Sequence, residues 1–390
     1  MIRRRSAFWS RRFLRGFGPV AGLAAVGVVS LLLSGHLAVP FAPMVTLEGL
    51  TASKGDLFED ARMRALLEER HIRVHVTRSG SRAIARADLE GFDFVFPSGR
   101  PAANRIKERI GAGKTYKPFA TPLVLGTFRQ YAETLVAAGA ATAQPGGTAA
   151  GPMYYTLDMK RFFALIKAGK TWDDLGIGTQ PDVTGRTITN GNRVYAHSPN
   201  LCDANSAESY TALAAFVENQ GTAPTEGQVA AVADGIREPL TIGGMPDADL
   251  LGSYIAPEGK SKAPIVVVYE HQFLTYQVRR QIADGVPDGD RVMLYPDREV
   301  LTDPEYFVLN ARADRLGTLL RDDPALRQRA MELGYRVLDP TGETDSEQLW
   351  RYLREHGIPV PDRGGVLTKA DLPALPALEQ LVKAVGACRD

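Results

Sequence analysis

The chain has 390 residues, of which 44% are hydrophobic, and a formal net charge of +1. This length allows two or three lobes with a sizeable hydrophobic core. The near-neutral charge argues against a nucleic-acid-binding protein, which usually carries a strong basic excess. The two Cys and six His do not cluster with the spacing of a zinc site, so no metal ion or other cofactor is predicted.

The N-terminus combines a basic tail with a long apolar segment. Residues 1–16 are rich in Arg and contain no acidic residue, and residues 17–42 are apolar except for Ser30, Ser34 and His36. About 20 apolar residues can span a bilayer, and Arg residues stay on its cytoplasmic side. We therefore predict a basic cytoplasmic tail, a single transmembrane anchor at residues 17–42 and an extracytoplasmic remainder. A cleaved signal peptide is the alternative for the apolar segment.

Three strand–helix pairs are predicted after the anchor. Apolar runs at residues 44–50, 72–76 and 92–96 predict strands, and each is followed by a helical pattern. Asp56 and Glu59 have the spacing of a capping box, which predicts the start of the first helix. Strands that alternate with helices in this way form a parallel sheet.

The loops at the carboxyl ends of these strands are rich in small hydroxyl residues. Ligands of open α/β sheets bind at this edge, and helix N-termini bind anions through free N–H groups and a partial positive charge. The residues that we expect to face a ligand there are Ser53, Lys54, Ser79, Ser81 and Ser98. Arg78, Arg82 and Arg100 add positive charge to the same loops. Any one of these loops could be an ordinary turn, so the prediction rests on their recurrence at one sheet edge.

A second α/β region is predicted in the middle of the chain. Residues 121–128 predict a strand that is followed by a helix. Residues 137–152 are small and of low complexity, which predicts an exposed flexible loop. A helix at residues 158–168 and a strand at residues 193–197 come next.

The stretch SPNLCDANSAESY at residues 198–210 precedes an apolar helix. Asn205 is predicted as the helix N-cap, Glu208 completes a box-like spacing, and the helix is expected to begin at about Ser206. Asn205 and Ser206 are therefore further candidates for ligand binding.

The same stretch contains Cys202. As a nucleophile Cys202 would need a base, for which His197 is the nearest candidate. In an oxidising compartment two cysteines most often pair, so a disulfide between Cys202 and Cys388 is favoured over catalysis. Because the chain also has no GxSxG elbow and no dinucleotide fingerprint, we predict that it is not an enzyme.

The C-terminal half continues the alternation of strands and helices. A buried strand is predicted at residues 264–271, and two extended segments at residues 291–310. Four helices are predicted near residues 313–321, 324–333, 346–356 and 374–385.

The order of these motifs resembles that of extracellular solute-binding proteins with the type 2 periplasmic binding fold, especially the molybdate/sulfate-like group. The resemblance covers about residues 45–340. It rests on the stretches RSGSRAIARADLEGFDFVFPSGRPAANRI, NLCDANSAESYTALAAF, IVVVYEHQFL, VMLYPDREV and RDDPALRQRAMELGYRVL.

This resemblance implies a two-lobed α/β protein that closes by hinge motion. Lobe I would comprise residues 44–124 plus 302–390, and lobe II residues 125–301. The ligand would lie between the lobes. The family motifs place six residues in contact with the ligand: Ser53, Ser79, Ser81, Ser98, Ser206 and Tyr269. The loop patterns add Lys54 and Asn205.

The sequence also departs from the pattern of that group. Gly80 separates the two Ser, Lys54 and Arg100 are unusually basic, and Glu270 adjoins Tyr269. A carboxylate in the pocket would repel a small dianion, which argues against molybdate, sulfate or phosphate and leaves an organic or zwitterionic ligand open.

The sequence thus predicts a membrane-anchored extracytoplasmic solute-binding protein for a small anionic or zwitterionic ligand. Its natural partner would be a membrane permease. The alternative is a sensor or protein-interaction ectodomain that uses the same fold without transport.

Overall fold

The computed structural model of the protein describes residues 43–111, 113–244, 249–339, 341–362 and 368–388. The predicted cytoplasmic tail and anchor, residues 1–42, lie outside these ranges, so the anchor stays a prediction. Within the described ranges no helix has the length and apolar character needed to cross a membrane.

The strands of the described chain form two main sheets and a small hairpin. They are β1 (Val45–Thr51), β2 (Ile72–Arg78), β3 (Phe94–Phe96), β4 (Thr115–Tyr116), β5 (Phe119–Phe128), β6 (Ala141–Ala143), β7 (Gly147–Thr148), β8 (Gly151–Pro152), β9 (Tyr154–Leu157), β10 (Ile265–Tyr269), β11 (Arg291–Pro296), β12 (Leu301–Thr302), β13 (Tyr306–Val308) and β14 (Arg336–Val337).

The α-helices lie between these strands and after them. They are α1 (Asp56–Glu59), α2 (Ala61–Glu69), α3 (Ser81–Arg86), α4 (Arg100–Ile110), α5 (Arg129–Ala137), α6 (Met159–Lys167), α7 (Asn205–Glu218), α8 (Val229–Thr241), α9 (Leu250–Ile255), α10 (Gly259–Lys262), α11 (Glu270–Asp284), α12 (Asp314–Asp322), α13 (Pro324–Glu332), α14 (Ser346–Glu355) and α15 (Leu375–Gly386).

The sheet of lobe I has the strand order β2-β1-β3-β13-β4. β1 pairs in parallel with both β2 and β3, which confirms the predicted parallel arrangement. All three residues of β3 are buried, because apolar side chains pack on both faces of the sheet. The carboxyl ends of β1, β2 and β3 consequently meet at one edge.

The sheet of lobe II has the strand order β10-β5-β11-β9-β6. β5 is ten residues long and entirely buried. Its first residues pair with β14 and β12, and its later residues pair with β10 and β11. The start of β5 therefore contacts β12 and β14, and the rest of β5 joins the sheet of lobe II, where β10 ends beside the start of α7.

The predicted flexible loop at residues 137–152 is ordered in part. β6 pairs with β9 at the sheet edge, and β7 and β8 form a two-stranded hairpin. Gly139, Gly146 and Gly151 have positive φ, so the small residues of this stretch make tight turns between short strands. The low complexity of this stretch did not exclude strands, because a short edge strand is held by backbone hydrogen bonds and does not need large side chains.

The predicted strand at residues 193–197 is an extended segment with two isolated bridges. Arg193 pairs with Thr171, and His197 pairs with Val266 of β10. The segment crosses β10 too briefly to form a regular ladder, although its apolar pattern is that of a strand.

The last helix, α15, packs against α7 and α8 of lobe II. Its Leu378 and Val382 form a small apolar cluster with Ala212 of α7. The disulfide predicted between Cys202 and Cys388 is present and joins the end of α15 to the loop before α7. For this helix the contacts differ from the assignment of residues 302–390 to lobe I, and the other lobe boundaries stay predictions.

Candidate functional site between the lobes

Three of the serines predicted in lobe I lie together at the sheet edge. The hydroxyls of Ser53 and Ser98 are 2.8 Å apart, and the backbone N–H of Ser98 donates to Ser81 Oγ at 3.0 Å. Ser79 begins the loop after β2, and its N–H donates to the carbonyl of Thr51 at 3.0 Å. The parallel pairing of β1 with its two neighbours brings these loops side by side.

In lobe II the first turn of α7 meets the end of β10. Asn205 Nδ2 donates to the Tyr269 hydroxyl at 2.8 Å. Asn205 is not the N-cap that the sequence predicted: it is the first residue of α7, Ala204 precedes it as cap, and no side chain caps the helix. The side-chain amide of Asn205 contacts Tyr269 instead of capping the helix. The predicted start was one residue late because the sequence treated Asn205 as the cap that precedes the helix.

Tyr269 is buried at the centre of this contact. Burial raises the pKa of its hydroxyl above the usual value of 10.0, and the hydrogen bond from Asn205, with the nearby hydroxyls of Thr302 and Ser206, opposes that shift. The phenol is therefore a neutral donor or acceptor at physiological pH. Ser206, another predicted site residue, lies within this group.

Two glycines allow the lobes to approach each other. A Cβ on Gly99 would lie 2.5 Å from Asn205 Oδ1, and a Cβ on Gly80 would lie 2.5 Å from the carbonyl oxygen of Asp203. At Gly80 a Cβ would meet backbone atoms, so the loop of Asp203 would have to shift, whereas at Gly99 the side-chain amide of Asn205 would have to move. Gly80, which the sequence marked as a departure from the family pattern, is explained by this contact.

Lys54 is the most unusual residue of the site. Its side chain is 0% exposed, and its ammonium lies 3.3 Å from the centroid of the Tyr269 ring. Within the described residues no hydrogen-bond acceptor contacts Lys54 Nζ. Burial lowers its pKa from 10.5 to about 7, against the opposing effect of the Asp56 carboxylate. The cation–π contact offsets part of the burial cost but supplies no anionic partner.

Asp56 and His271 form the wall next to Lys54. His271 is buried, stacks on Tyr335 with a centroid distance of 4.1 Å, and contacts Thr121 Oγ1 through Nδ1 at 3.1 Å. Burial, with the charge of Lys54, lowers the pKa of His271 to about 4, so the ring is neutral.

Asp56 does not cap a helix as the sequence predicted. Its carboxylate accepts from the Tyr335 hydroxyl at 3.0 Å, and Asp60 instead caps α2 by accepting from the N–H of Met63 at 2.8 Å. Burial tends to raise the pKa of Asp56, but contacts with His271, the charge of Lys54 and the hydrogen bond from Tyr335 together outweigh it, so the pKa lies below 3.8. The carboxylate is therefore ionised and places a negative charge beside Lys54.

Glu270 does not face the cleft, contrary to the expectation from its position beside Tyr269. It is 0% exposed and binds the Arg336 guanidinium at 2.6 and 2.7 Å, and the Tyr295 hydroxyl donates to it at 2.6 Å. Tyr269 ends β10 and Glu270 begins α11, so the two side chains diverge. The argument that a pocket carboxylate disfavours a dianion is thus wrong for this residue.

The other predicted cations are engaged in ion pairs. Arg100 binds Asp303 at 2.8 Å and Arg78 binds Glu59 at 2.6 Å, both on partly exposed surfaces. Among the basic residues that the sequence singled out near these loops, Lys54 is the buried one without an anionic partner at hydrogen-bond distance in the described chain.

Two cavities flank the site. One of about 370 Å³ is lined by Gly99, Asn205, Thr302 and residues 369–375. The other, of about 640 Å³, is lined in part by Asp56, His271 and Tyr335. The sequence did not indicate that Thr302, His271 and Asp56 lie beside the candidate site. His271 and Asp56 each lie two residues from a predicted site residue, whereas Thr302 carried no local signal.

Cys202 has no free thiol, because it is disulfide-bonded. Within the described ranges, no three or more His, Cys, Asp or Glu residues are grouped so as to hold a metal ion.

No family model and no curated protein matches the chain. Solved structures are similar to it: iron-bound HitA from Pseudomonas aeruginosa has a TM-score of 0.50 at 12% identity and covers 88% of this chain and 99% of its own. The fold is that of the type 2 periplasmic binding proteins. The sulfate-binding protein SubI from Mycobacterium tuberculosis H37Rv has a TM-score of 0.44 at 11% identity, covering 89% of this chain and 100% of its own. The periplasmic molybdate-binding protein of Azotobacter vinelandii has a TM-score of 0.41 at 13% identity, covering 74% and 98%.

Proposed function

We propose that this protein is an extracytoplasmic solute-binding protein that closes its two lobes around a small anionic ligand. The observation that carries the proposal is the buried ammonium of Lys54, which lies between the lobes without a hydrogen-bond acceptor in the described chain. A buried charge without a partner costs several kcal/mol, and an anion in hydrogen-bond contact removes much of that cost.

The surrounding groups suit an anion. The first turn of α7 carries helix N-terminal N–H groups and a partial positive charge. Ser53 and Ser98 bond to each other, so one of their hydroxyls can still donate, and the Tyr269 hydroxyl, which accepts from Asn205, can donate as well. Because Glu270 is neutralised by Arg336, inorganic oxyanions such as sulfate, molybdate and phosphate are again reasonable ligands. The ionised Asp56 next to Lys54 supports a zwitterionic ligand as the second class.

We further propose that residues 17–42 anchor the protein in the membrane with its lobes outside, and that a permease receives the ligand. These parts rest on the apolar N-terminal segment and on the type 2 fold. Expression of a fusion with a reporter enzyme at the C-terminus, followed by membrane fractionation, tests the anchor and its orientation.

A thermal-shift screen of the full chain tests ligand capture. Sulfate, molybdate, phosphate, amino acids and neutral sugars are compared, because a ligand at 100 times its Kd adds about 2.7 kcal/mol of stability. We expect one of the anions or zwitterions to raise the melting temperature of the wild type and not of Lys54→Met. Lys170→Met, at an exposed lysine of lobe II, is the matched control and should respond like the wild type. Stabilisation of Lys54→Met equal to that of the wild type, or by neutral sugars alone, contradicts the proposal.

A further inference from the structure

A buried ion pair links the two predicted lobes across the cleft. Arg82 of α3 in lobe I donates from Nη1 to Oε1 of Glu208, on α7 in lobe II, at 2.9 Å. The two side chains are 1% and 0% exposed. Glu208 also lines the cavity of about 370 Å³, and neither side chain is among the predicted ligand contacts.

Two further residues complete this cluster. Arg105 of α4 donates to the same Glu208 oxygen at 2.8 Å, so two guanidiniums of lobe I share one carboxylate of lobe II. The second negative charge comes from Glu379 of α15, which accepts from Arg82 Nη2 at 2.6 Å and also pairs with Arg105. We call Arg82, Arg105, Glu208 and Glu379 the clasp. Its formal charges sum to zero only when Glu379 is present.

The disulfide holds α15 on lobe II. It ties Cys388, two residues after the end of α15, to Cys202 in the loop before α7. The same loop touches lobe I, because the backbone N–H of Arg82 donates to the carbonyl of Asp203 at 3.3 Å. Movement of α15 should therefore be transmitted through the disulfide and this loop to the lobe I side of the cleft.

The clasp favours closure without forbidding opening. In the closed form the guanidiniums lie at hydrogen-bond distance from carboxylates in a site of low dielectric, where charge-assisted bonds are strong. On opening, both sets of charges gain water, which offsets part of the lost attraction. Without Glu379 the closed form would bury two guanidiniums with one carboxylate, which destabilises it. The open form would lose little stability, because water solvates the guanidiniums there.

We propose that the clasp shifts the lobes toward the closed form. Glu379, on α15, links lobe II to Arg82 and Arg105 of lobe I, and the Cys202–Cys388 disulfide keeps α15 in the position that allows this. The proposal rests on the proposed function only in that closure of the lobes captures a ligand. It adds that a segment outside the two sheets sets the open–closed equilibrium.

The amide of Arg82 donates to the carbonyl of Asp203 across the two predicted lobes, so separation of the lobes should break this bond and expose the amide to exchange. Hydrogen–deuterium exchange of the full chain is measured without any added anion, for the wild type, Glu379→Gln and the double variant Cys202→Ser/Cys388→Ser. We expect exchange at Arg82 to be about tenfold faster in Glu379→Gln, since a bond to a charged group contributes about 1.5 kcal/mol or more. We expect faster exchange there in the double variant as well, with exchange in β1 unchanged in both.

Glu347→Gln is the control, because Glu347 forms an exposed ion pair within α14. Wild-type exchange at Arg82 in both test variants overturns the clasp. Faster exchange throughout β1 and β5 also overturns it, since that result assigns α15 to overall stability alone. Failure of every anion to bind would contradict the proposed function and leave this measurement unaffected.

Discussion

Lys54 in the cleft and Glu270 at the predicted hinge are both completely buried, but in the described chain only Glu270 has a counter-ion at hydrogen-bond distance, the guanidinium of Arg336. At the hinge, Glu270 is held by two bonds from Arg336 and one from Tyr295. In the cleft, Lys54 lies over the Tyr269 ring and has no hydrogen-bond acceptor among the described residues. Both sites lie at the end of β10, and they differ in what the fold provides for the charge.

This difference separates a structural charge from a functional one. A buried ion pair has a structural role, because removal of either partner leaves an uncompensated charge in the interior. A buried charge without an acceptor is costly in the empty protein and is explained when a ligand completes it. Substitutions at the two places should therefore have opposite effects on stability.

The largest effect is expected at the hinge. Arg336→Met removes the guanidinium that balances the charge of the buried Glu270 carboxylate, so the free energy of unfolding should fall by about 3–5 kcal/mol. Urea denaturation followed by circular dichroism measures it. Adding Glu270→Leu to the same chain should recover most of the loss, and a double variant as unstable as the single one would show that packing, not charge, dominates the hinge.

In the cleft the sign should reverse. Lys54→Met removes the unpartnered ammonium and keeps a chain of similar length, so the ligand-free protein should gain on the order of 2–4 kcal/mol at pH 6. The same urea experiment measures the gain. A loss of stability in Lys54→Met would mean that the cation–π contact with Tyr269 outweighs the burial of the charge.

The dependence of stability on pH sharpens the same comparison. Because the pKa of Lys54 is lowered from 10.5 to about 7, the unfolded chain binds more protons at this residue between those pH values. The free energy of unfolding should therefore rise from pH 7 to pH 9, by at most about 1.4 kcal/mol per unit. His271, with a pKa of about 4, and Asp56, with a pKa below 3.8, titrate outside this window. Equal slopes for the wild type and Lys54→Met would exclude Lys54 as the source.

Much of the fold could be predicted from local sequence patterns. β1, β2, β3, β5 and β10 are apolar runs bounded by polar turns, and their alternation with helices predicted the parallel pairing in lobe I. The packing of α15 on lobe II could not be predicted, since an apolar helix face does not specify which surface it covers. The split of the first helix at Asp60 was missed because Asp56 and Asp60 both have the spacing of caps.

The sequence predicted which loops would lie together, but not how the charges near them are paired. Ser53, Ser81, Ser98, Asn205 and Tyr269 follow strand ends or precede a helix, and the fold brings such positions together. Whether a charge there is paired depends on residues far along the chain, such as Arg336 for Glu270 and Glu208 for Arg82. That information lies in tertiary contacts, so the sequence alone could not show that Glu270 is paired with Arg336 or that Lys54 is buried without an acceptor in the described chain.

The smallest effect is expected where the two lobes touch without charges. A Cβ at Gly80 would lie 2.5 Å from the carbonyl oxygen of Asp203 in the closed form and would meet no such atom once the lobes separate. Gly80→Ala should therefore disfavour closure by about 1 kcal/mol, the lower end of overpacking costs, with little change in the urea midpoint. Hydrogen exchange at the Arg82 amide should be about fivefold faster, whereas Gly227→Ala, at a glycine with no neighbour within 4 Å, should exchange like the wild type. Unchanged exchange in Gly80→Ala would show that the loop after β2 yields to the extra methyl group, and that close backbone contact at this point is not what holds the lobes together.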